Sequence, residues 1–236
     1  MNNNCYCCLL MLWARAIRAI LANQKAIGEV LLQRDRDPRK VSEKDFFKEC
    51  AWAIYVARFR VDTVRKKWPE LEAAFLHWDY QQVCKNIASV RAAALRVINS
   101  ARKADAVIQV AQWMCQTGWP TISERLLDGL TKDNQGNFVP DPQLITYLDR
   151  LPMIGETNAI FILKNMGYDL AKPDVLLTKL APKFDYRGDK DGVQQFASDI
   201  SQLVIERISV VEAVLWNAVS SKAELSFECP RCGGQR

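Results

Sequence analysis

One histidine in 236 residues leaves little room for imidazole chemistry. His77 lies in the apolar segment FLHWDY and reads as a packing residue rather than a base or a ligand. Glycine (10) and proline (9) are also scarce, so few positions break regular structure. No stretch reads as a strand longer than four residues and no internal repeat is visible. The hydrophobic run CYCCLLMLWA (Cys5 to Ala14) is interrupted soon after by Arg15 and Arg18 and is too short to span a bilayer. It lacks the basic leader and small-residue cleavage site of a secretion signal, which points to an intracellular protein of cytoplasm, nucleoid or nucleus. Eight cysteines in a chain of this length do not make a disulfide scaffold, and Cys50, Cys84 and Cys115 read as reduced core residues.

The composition is that of a globular protein, 49% hydrophobic and 25% charged, with a net charge of +5 that permits a nucleic-acid partner without requiring one. Helical periodicity covers nearly the whole chain. Leu9 to Gln33 reads as one run, closed by the charged connector RDRDPRK with Pro38. Ser42 has the form of an N-cap with Asp45 as its acidic first-turn partner, opening a helix to about Ala57. A short helix from Asp62 or Thr63 should stop before Pro69. Others are expected over Pro69 to Trp78, Tyr80 to Ile87, Val90 to Asn99, Arg102 to Gln116 and Thr121 to Leu130. KDNQGNFVPDP (Lys132 to Pro142) reads as a loop, and the fold class is all-α.

The most informative segment is LPMIGETNAIFILKNMGYDLAKPDVLLTKL, Leu151 to Leu180. Gln143 to Arg150 and Glu156 to Met166 have helical period, and LPMIG between them forms a tight hairpin. Pro152 stiffens that turn, and Gly155 leaves backbone with no Cβ where a phosphate can approach. The N–H groups that follow open a helix, an arrangement that favours an anion. The same residues would also make an ordinary corner between packed helices. Asp174, after Lys172 and Pro173, precedes the run Val175 to Leu180 and is placed to cap it. A carboxylate held this way can also stabilise an oxocarbenium-like sugar and orient attacking water.

LPMIG, Ala159, Pro173, Asp174 and the aliphatic helix after them resemble the helix-hairpin-helix superfamily of base-excision DNA glycosylases, the endonuclease III-like group. The resemblance is strong over about Leu144 to Ala181 and one of layout from Ser42 to Ala111. It implies a two-lobed helical fold with duplex DNA, bearing a damaged, mismatched or modified base, in a cleft between lobes. Residues 1–62 and 181–236 would form the lobe holding both termini, and residues 63–180 the lobe carrying the hairpin. The resemblance assigns the backbone grip to Leu151, Pro152, Met153, Ile154, Gly155 and Thr157, with a monovalent cation at the hairpin carbonyls, and the chemistry to Asp174. It implies a monomer with no membrane partner. Members that also cut the strand carry a lysine two residues after the hairpin glycine, where this chain has Thr157. Threonine forms no Schiff base, so the reading is a monofunctional glycosylase that uses water. The alternatives are a bifunctional glycosylase and lyase, using Lys164 or Lys172, and a non-catalytic DNA-binding protein of the same fold.

Base extrusion needs a filler for the vacated stack. AWAIYVARFR (Ala51 to Arg60) falls where the resemblance places the wedge and part of the pocket, giving Tyr55, Arg58 and Phe59 as candidates beside a core role for Trp52, Tyr55 and Phe59. Trp113, Trp119 and Trp216 can line a pocket or the core. Lys164, Lys179 and Lys183 flank the motif and can meet phosphates or solvent. At the C-terminus CPRCGG (Cys229 to Gly234) is half of a zinc knuckle. Its missing ligands can come only from Cys5, Cys7 and Cys8, giving Cys5, Cys8, Cys229 and Cys232 as a structural zinc set. The alternative is a tail without metal. The four-cysteine spacing of an iron–sulfur loop is absent, so no such cluster is expected.

Overall fold

The computed structural model describes residues 5–128 and 130–233; Gly129, and Gly234 of the CPRCGG segment, lie outside the described residues. Among the described residues the regular structure is helical apart from one small hairpin, and the chain divides into two compact units. One comprises residues 1–36, 134–137 and 167–236, the other 37–133 and 138–166. Their boundaries therefore fall near 36 and 166, where the sequence suggested 62 and 180. The reason is local packing: the helix after Ser42 docks on helices of the second unit, while the segment from Gly167 onward packs with the C-terminal helices.

The unit holding both termini contains α1 (Tyr6–Leu21) and α2 (Gln24–Asp35) from the start of the chain. The expected single run from Leu9 to Gln33 is broken because the Asn23 side chain accepts from the Lys25 and Ala26 amides and restarts the helix. Leu9, Leu12, Ala16 and Ile20, at three- and four-residue spacing, form the buried stripe of α1. They join a core built from the helices after Asp174 and closed by a cluster of Phe184, Phe196 and Phe227. Arg207 fastens the unit internally, donating to the carbonyls of Arg34, Arg36 and Gly167 while standing 3.8 Å from the fully buried Asp169. No single helix among the described residues is long and apolar enough to cross a membrane.

The second unit runs through α3 (Glu43–Val56), α4 (Val61–Ala74), α5 (Tyr80–Lys85), α6 (Ile87–Val97), α7 (Ala101–Thr117), α8 (Trp119–Asp128), α9 (Pro142–Leu148) and α10 (Glu156–Met166). Ser42 and Asp45 form the expected reciprocal capping box at the start of α3. Helix α4 continues through Pro69, where a stop was expected. Apolar anchoring offsets the missing hydrogen bond: Trp68 stacks on Trp78 at 4.7 Å, and Leu71 is fully buried. His77 lies outside this core. It is exposed on a left-handed turn (φ 56°), its Nδ1 3.9 Å from Glu72, which corrects the packing role expected for it. The expected loop from Lys132 to Pro142 contains one arm of a two-stranded antiparallel hairpin, β1 (Leu130–Lys132) and β2 (Phe138–Pro140), with Thr131 opposite Val139. Of the three cysteines expected in the core only Cys50 is there. Cys84 is half-buried and Cys115 is exposed.

Candidate functional site

The hairpin follows directly from its residues. Helix α9 opens with Asp141 capping the Gln143 amide and Pro142 in the first turn, and ends at Leu148. The chain then turns through residues 149–155 into α10. Leu151 and Ile154 are buried anchors, and the Ile154 amide donates to the Leu151 carbonyl at 3.0 Å across the turn. Met153 occupies the left-handed region at φ 58°. The Asn158 side-chain amide donates to the Met153 carbonyl at 3.2 Å and fixes the turn to the helix it starts. Gly155 and Thr157 are exposed. A Cβ built on Gly155 meets nothing within 4 Å, so the fold does not itself require glycine there. The open side is free for a ligand.

The hairpin lines a cavity of about 590 Å³ together with two segments distant in sequence. One is the turn after α3, Ala57, Arg58 and Phe59; the other is the start of α7, Ser100, Arg102 and Lys103. Arg58 sits at φ 62° and is exposed, as is Phe59 at 39%. Tyr55 is fully buried against Phe75, so of the three wedge candidates it belongs to the core.

Lys103, which sequence reasoning passed over, organises this corner. It is only 5% exposed and its Nζ donates to the carbonyls of Ile54, Tyr55 and Ala57, the last at 2.8 Å. These are end-of-helix carbonyls of α3, which otherwise lack intrahelical donors. Its ammonium also lies 4.5 Å from the Phe59 ring. Burial, with like charge from Arg102 and Arg58, brings its pKa down to about 8. No ion pair or side-chain hydrogen bond among the described residues engages Arg58 or Arg102, and Asp149 is the sole carboxylate in the lining. Such a concentration of positive charge suits an anionic ligand.

In the other unit Asp174 caps α11 (Val175–Leu180), which leads through a short turn to α12 (Lys190–Val204) and α13 (Ile208–Ser220). Its Oδ1 accepts from the amides of Leu176 at 2.9 Å and Leu177 at 3.1 Å. Its Oδ2 accepts from the indole Nε1 of Trp216 on α13. A carboxylate offers about four acceptor directions. Three donors fix its orientation and leave roughly one direction for water or a developing cation. Trp216 is therefore a partner of the acid, a role its sequence neighbourhood did not signal. Trp113 and Trp119 instead pack on Phe46 at 6.2 and 5.9 Å. Lys179 and Lys183 are exposed. Lys164 is 7% exposed and buried within its helix packing, which removes it from the expected phosphate-facing set.

The terminal cysteines converge. The sulfur atoms of Cys5, Cys8, Cys229 and Cys232 all lie within 4.8 Å of one another, with Cys5 to Cys229 at 3.7 Å and Cys8 to Cys232 at 3.5 Å. Four thiolates around one ion at about 2.3 Å stand about 3.8 Å apart, so this set can hold a metal. The Cys232 backbone N–H, supported by that of Arg231, brings the Cys229 thiol down to about 6, toward the ligating thiolate. Gly233 at φ 63° turns the chain so that its N–H bonds the Cys229 carbonyl at 2.8 Å.

No family model matches the chain, and no curated protein matches it in sequence. Solved structures do. The 8-oxoguanine glycosylase/lyase of Methanocaldococcus jannaschii, in complex with a 15mer DNA containing 8-oxoguanine, aligns over 90% of this chain and 99% of its own at 14% identity, TM-score 0.62. The 8-oxoguanine DNA glycosylase of the same organism in a separate structure aligns over 91% and 96%, again at 14% and 0.62. The 8-oxoguanine DNA glycosylase of Thermotoga maritima aligns over 91% and 99% at 15% identity, TM-score 0.59. At such identities the likeness is one of fold.

Proposed function

We propose that this protein is a DNA glycosylase that hydrolyses the N-glycosidic bond of a damaged, mismatched or modified base. The observation that carries this reading is the shared cavity. LPMIG, the Arg58–Phe59 turn and the start of α7, far apart in sequence, face one positively charged space. In the proposal the hairpin backbone at Leu151, Pro152, Met153, Ile154, Gly155 and Thr157 holds phosphate. The exposed Lys179 adds a screened phosphate contact, and Arg58 and Phe59 fill the stack vacated by the base. A monovalent cation at the hairpin carbonyls completes the grip.

Asp174 is the proposed catalytic carboxylate. As the base departs, positive charge develops on the sugar, and a carboxylate fixed by three donors stabilises it without reorganising. The free acceptor direction serves the attacking water. Thr157 supplies no amine for a covalent route, so water is the proposed nucleophile and an abasic site the product. The fold likeness to 8-oxoguanine glycosylases names 8-oxoguanine as the first base to try. The four-cysteine cluster is proposed to hold one structural zinc ion that joins the two ends of the chain.

The test is a panel of duplexes carrying oxidised, alkylated, deaminated or mismatched bases, with mass analysis of whatever base is released. Release from at least one duplex is expected, with the strand cut only after alkali. Release from none would overturn the glycosylase reading. A protein–DNA adduct trapped by borohydride would replace hydrolysis with a lyase route.

A further inference from the structure

Cys84 and Cys115 belong neither to the cavity nor to the terminal cluster. Cys84 is in the last turn of α5 and Cys115 near the end of α7, two helices packed side by side. Their sulfur atoms are 2.6 Å apart, closer than two unbonded sulfurs rest and only slightly beyond a covalent bond of about 2.05 Å. Cys115 is exposed and Cys84 half-buried, so a soluble oxidant reaches one directly and finds the other behind it.

We propose that Cys84 and Cys115 form a reversible disulfide, a redox modification site that staples α5 to α7. The oxidant is a small-molecule disulfide such as oxidised glutathione. The exposed Cys115 loses its proton and attacks, forming a mixed disulfide and releasing one glutathione thiolate, which takes up a proton. Cys84 then loses its proton and attacks the Cys115 sulfur, breaking the mixed disulfide and releasing the second glutathione. Two protein thiols are oxidised and one glutathione disulfide is reduced to two thiols. Burial and the adjacent Cys115 push the Cys84 thiol up to about 12, so the second step accelerates as pH rises.

The bridge closes a loop between residues 31 apart that contains α6 and most of α7. Helix α7 also supplies Arg102 and Lys103 to the cavity. Restricting the unfolded loop should raise the thermal midpoint of this unit on the order of 5–10 °C.

The experiment uses the full chain as purified, equilibrated in glutathione redox buffers and mapped by mass spectrometry without reduction. Oxidised buffer should join the Cys84 and Cys115 peptides with loss of two hydrogens, and dithiothreitol should separate them. Cys84→Ser should stop at a glutathione adduct on Cys115 and show no rise in midpoint. Free thiols at both positions in oxidised buffer, a persistent adduct on Cys115 in the parent protein, or a bridge between two molecules would each overturn the proposal. An equal rise in midpoint for the parent and Cys84→Ser would overturn the staple.

Discussion

Replacing Lys103 with methionine tests the architecture of the cavity most severely. Methionine keeps the apolar stem and deletes the ammonium, leaving the carbonyls of Ile54, Tyr55 and Ala57 without that donor. Hydrogen bonds to a charged donor contribute about 1.5–3 kcal/mol each. Burying the ammonium itself costs several kcal/mol, so the net loss on Lys103→Met should be about 2–3 kcal/mol at neutral pH. That corresponds to a midpoint lowered by about 5–10 °C. The pH dependence has a definite sign. The folded pKa is about 8 against an ordinary 10.5, so between these values the unfolded chain binds more protons. The difference between parent and variant therefore sits at its neutral-pH value below pH 8 and grows as pH rises from 8 toward 10.5, by up to about 3 kcal/mol. Tryptophan fluorescence is a suitable readout, because Trp52, Trp68, Trp78, Trp113 and Trp119 lie in this unit. A stability difference between parent and variant that stays flat over this pH range, or a variant as stable as the parent, would refute the reasoning.

Trp216→Phe removes the indole donor to Asp174 and should slow base release about 10-fold in single-turnover assays while duplex affinity stays unchanged. An unchanged rate would remove Trp216 as a positioning residue. Met153→Gly relieves a left-handed residue in the hairpin and should stabilise the protein by about 1 kcal/mol, seen as a midpoint raised by a few degrees. Cys232→Ser should lower zinc in the purified protein from one ion per chain to a substoichiometric amount and lower the thermal midpoint by roughly 5–10 °C. Full zinc occupancy in that variant would exclude Cys232 as a ligand.

The helical class, the capping box at Ser42 and the hairpin between α9 and α10 were legible in the sequence because each depends on local residue chemistry. So was the carboxylate cap at Asp174. What escaped depends on tertiary context. Pro69 reads as a stop, yet aromatic packing carries α4 through it. Tyr55 and Lys164 have side chains that suit a surface site, and neighbouring helices bury them. Lys103 in the run SARKADAVIQVA looks like a surface lysine, but it falls on the buried face of α7, beside Ala104 and Val107. That placement was the available signal. The pairing of Trp216 with Asp174 joins residues 42 apart and has no local signature. The terminal cysteines offered one half-site by spacing, at Cys229 and Cys232, and the fold brings Cys5 and Cys8 to it.

The central claim is that Asp174 supports cleavage of a glycosidic bond. Its direct test is single-turnover release of free base from a lesion-bearing duplex, 8-oxoguanine first, by the parent protein and by Asp174→Asn at matched duplex occupancy. The substitution keeps the shape and a capping oxygen while removing the charge. Release by the parent is expected, with a rate lower by about 100-fold or more in the variant and duplex binding retained. Equal release by the two proteins would contradict it.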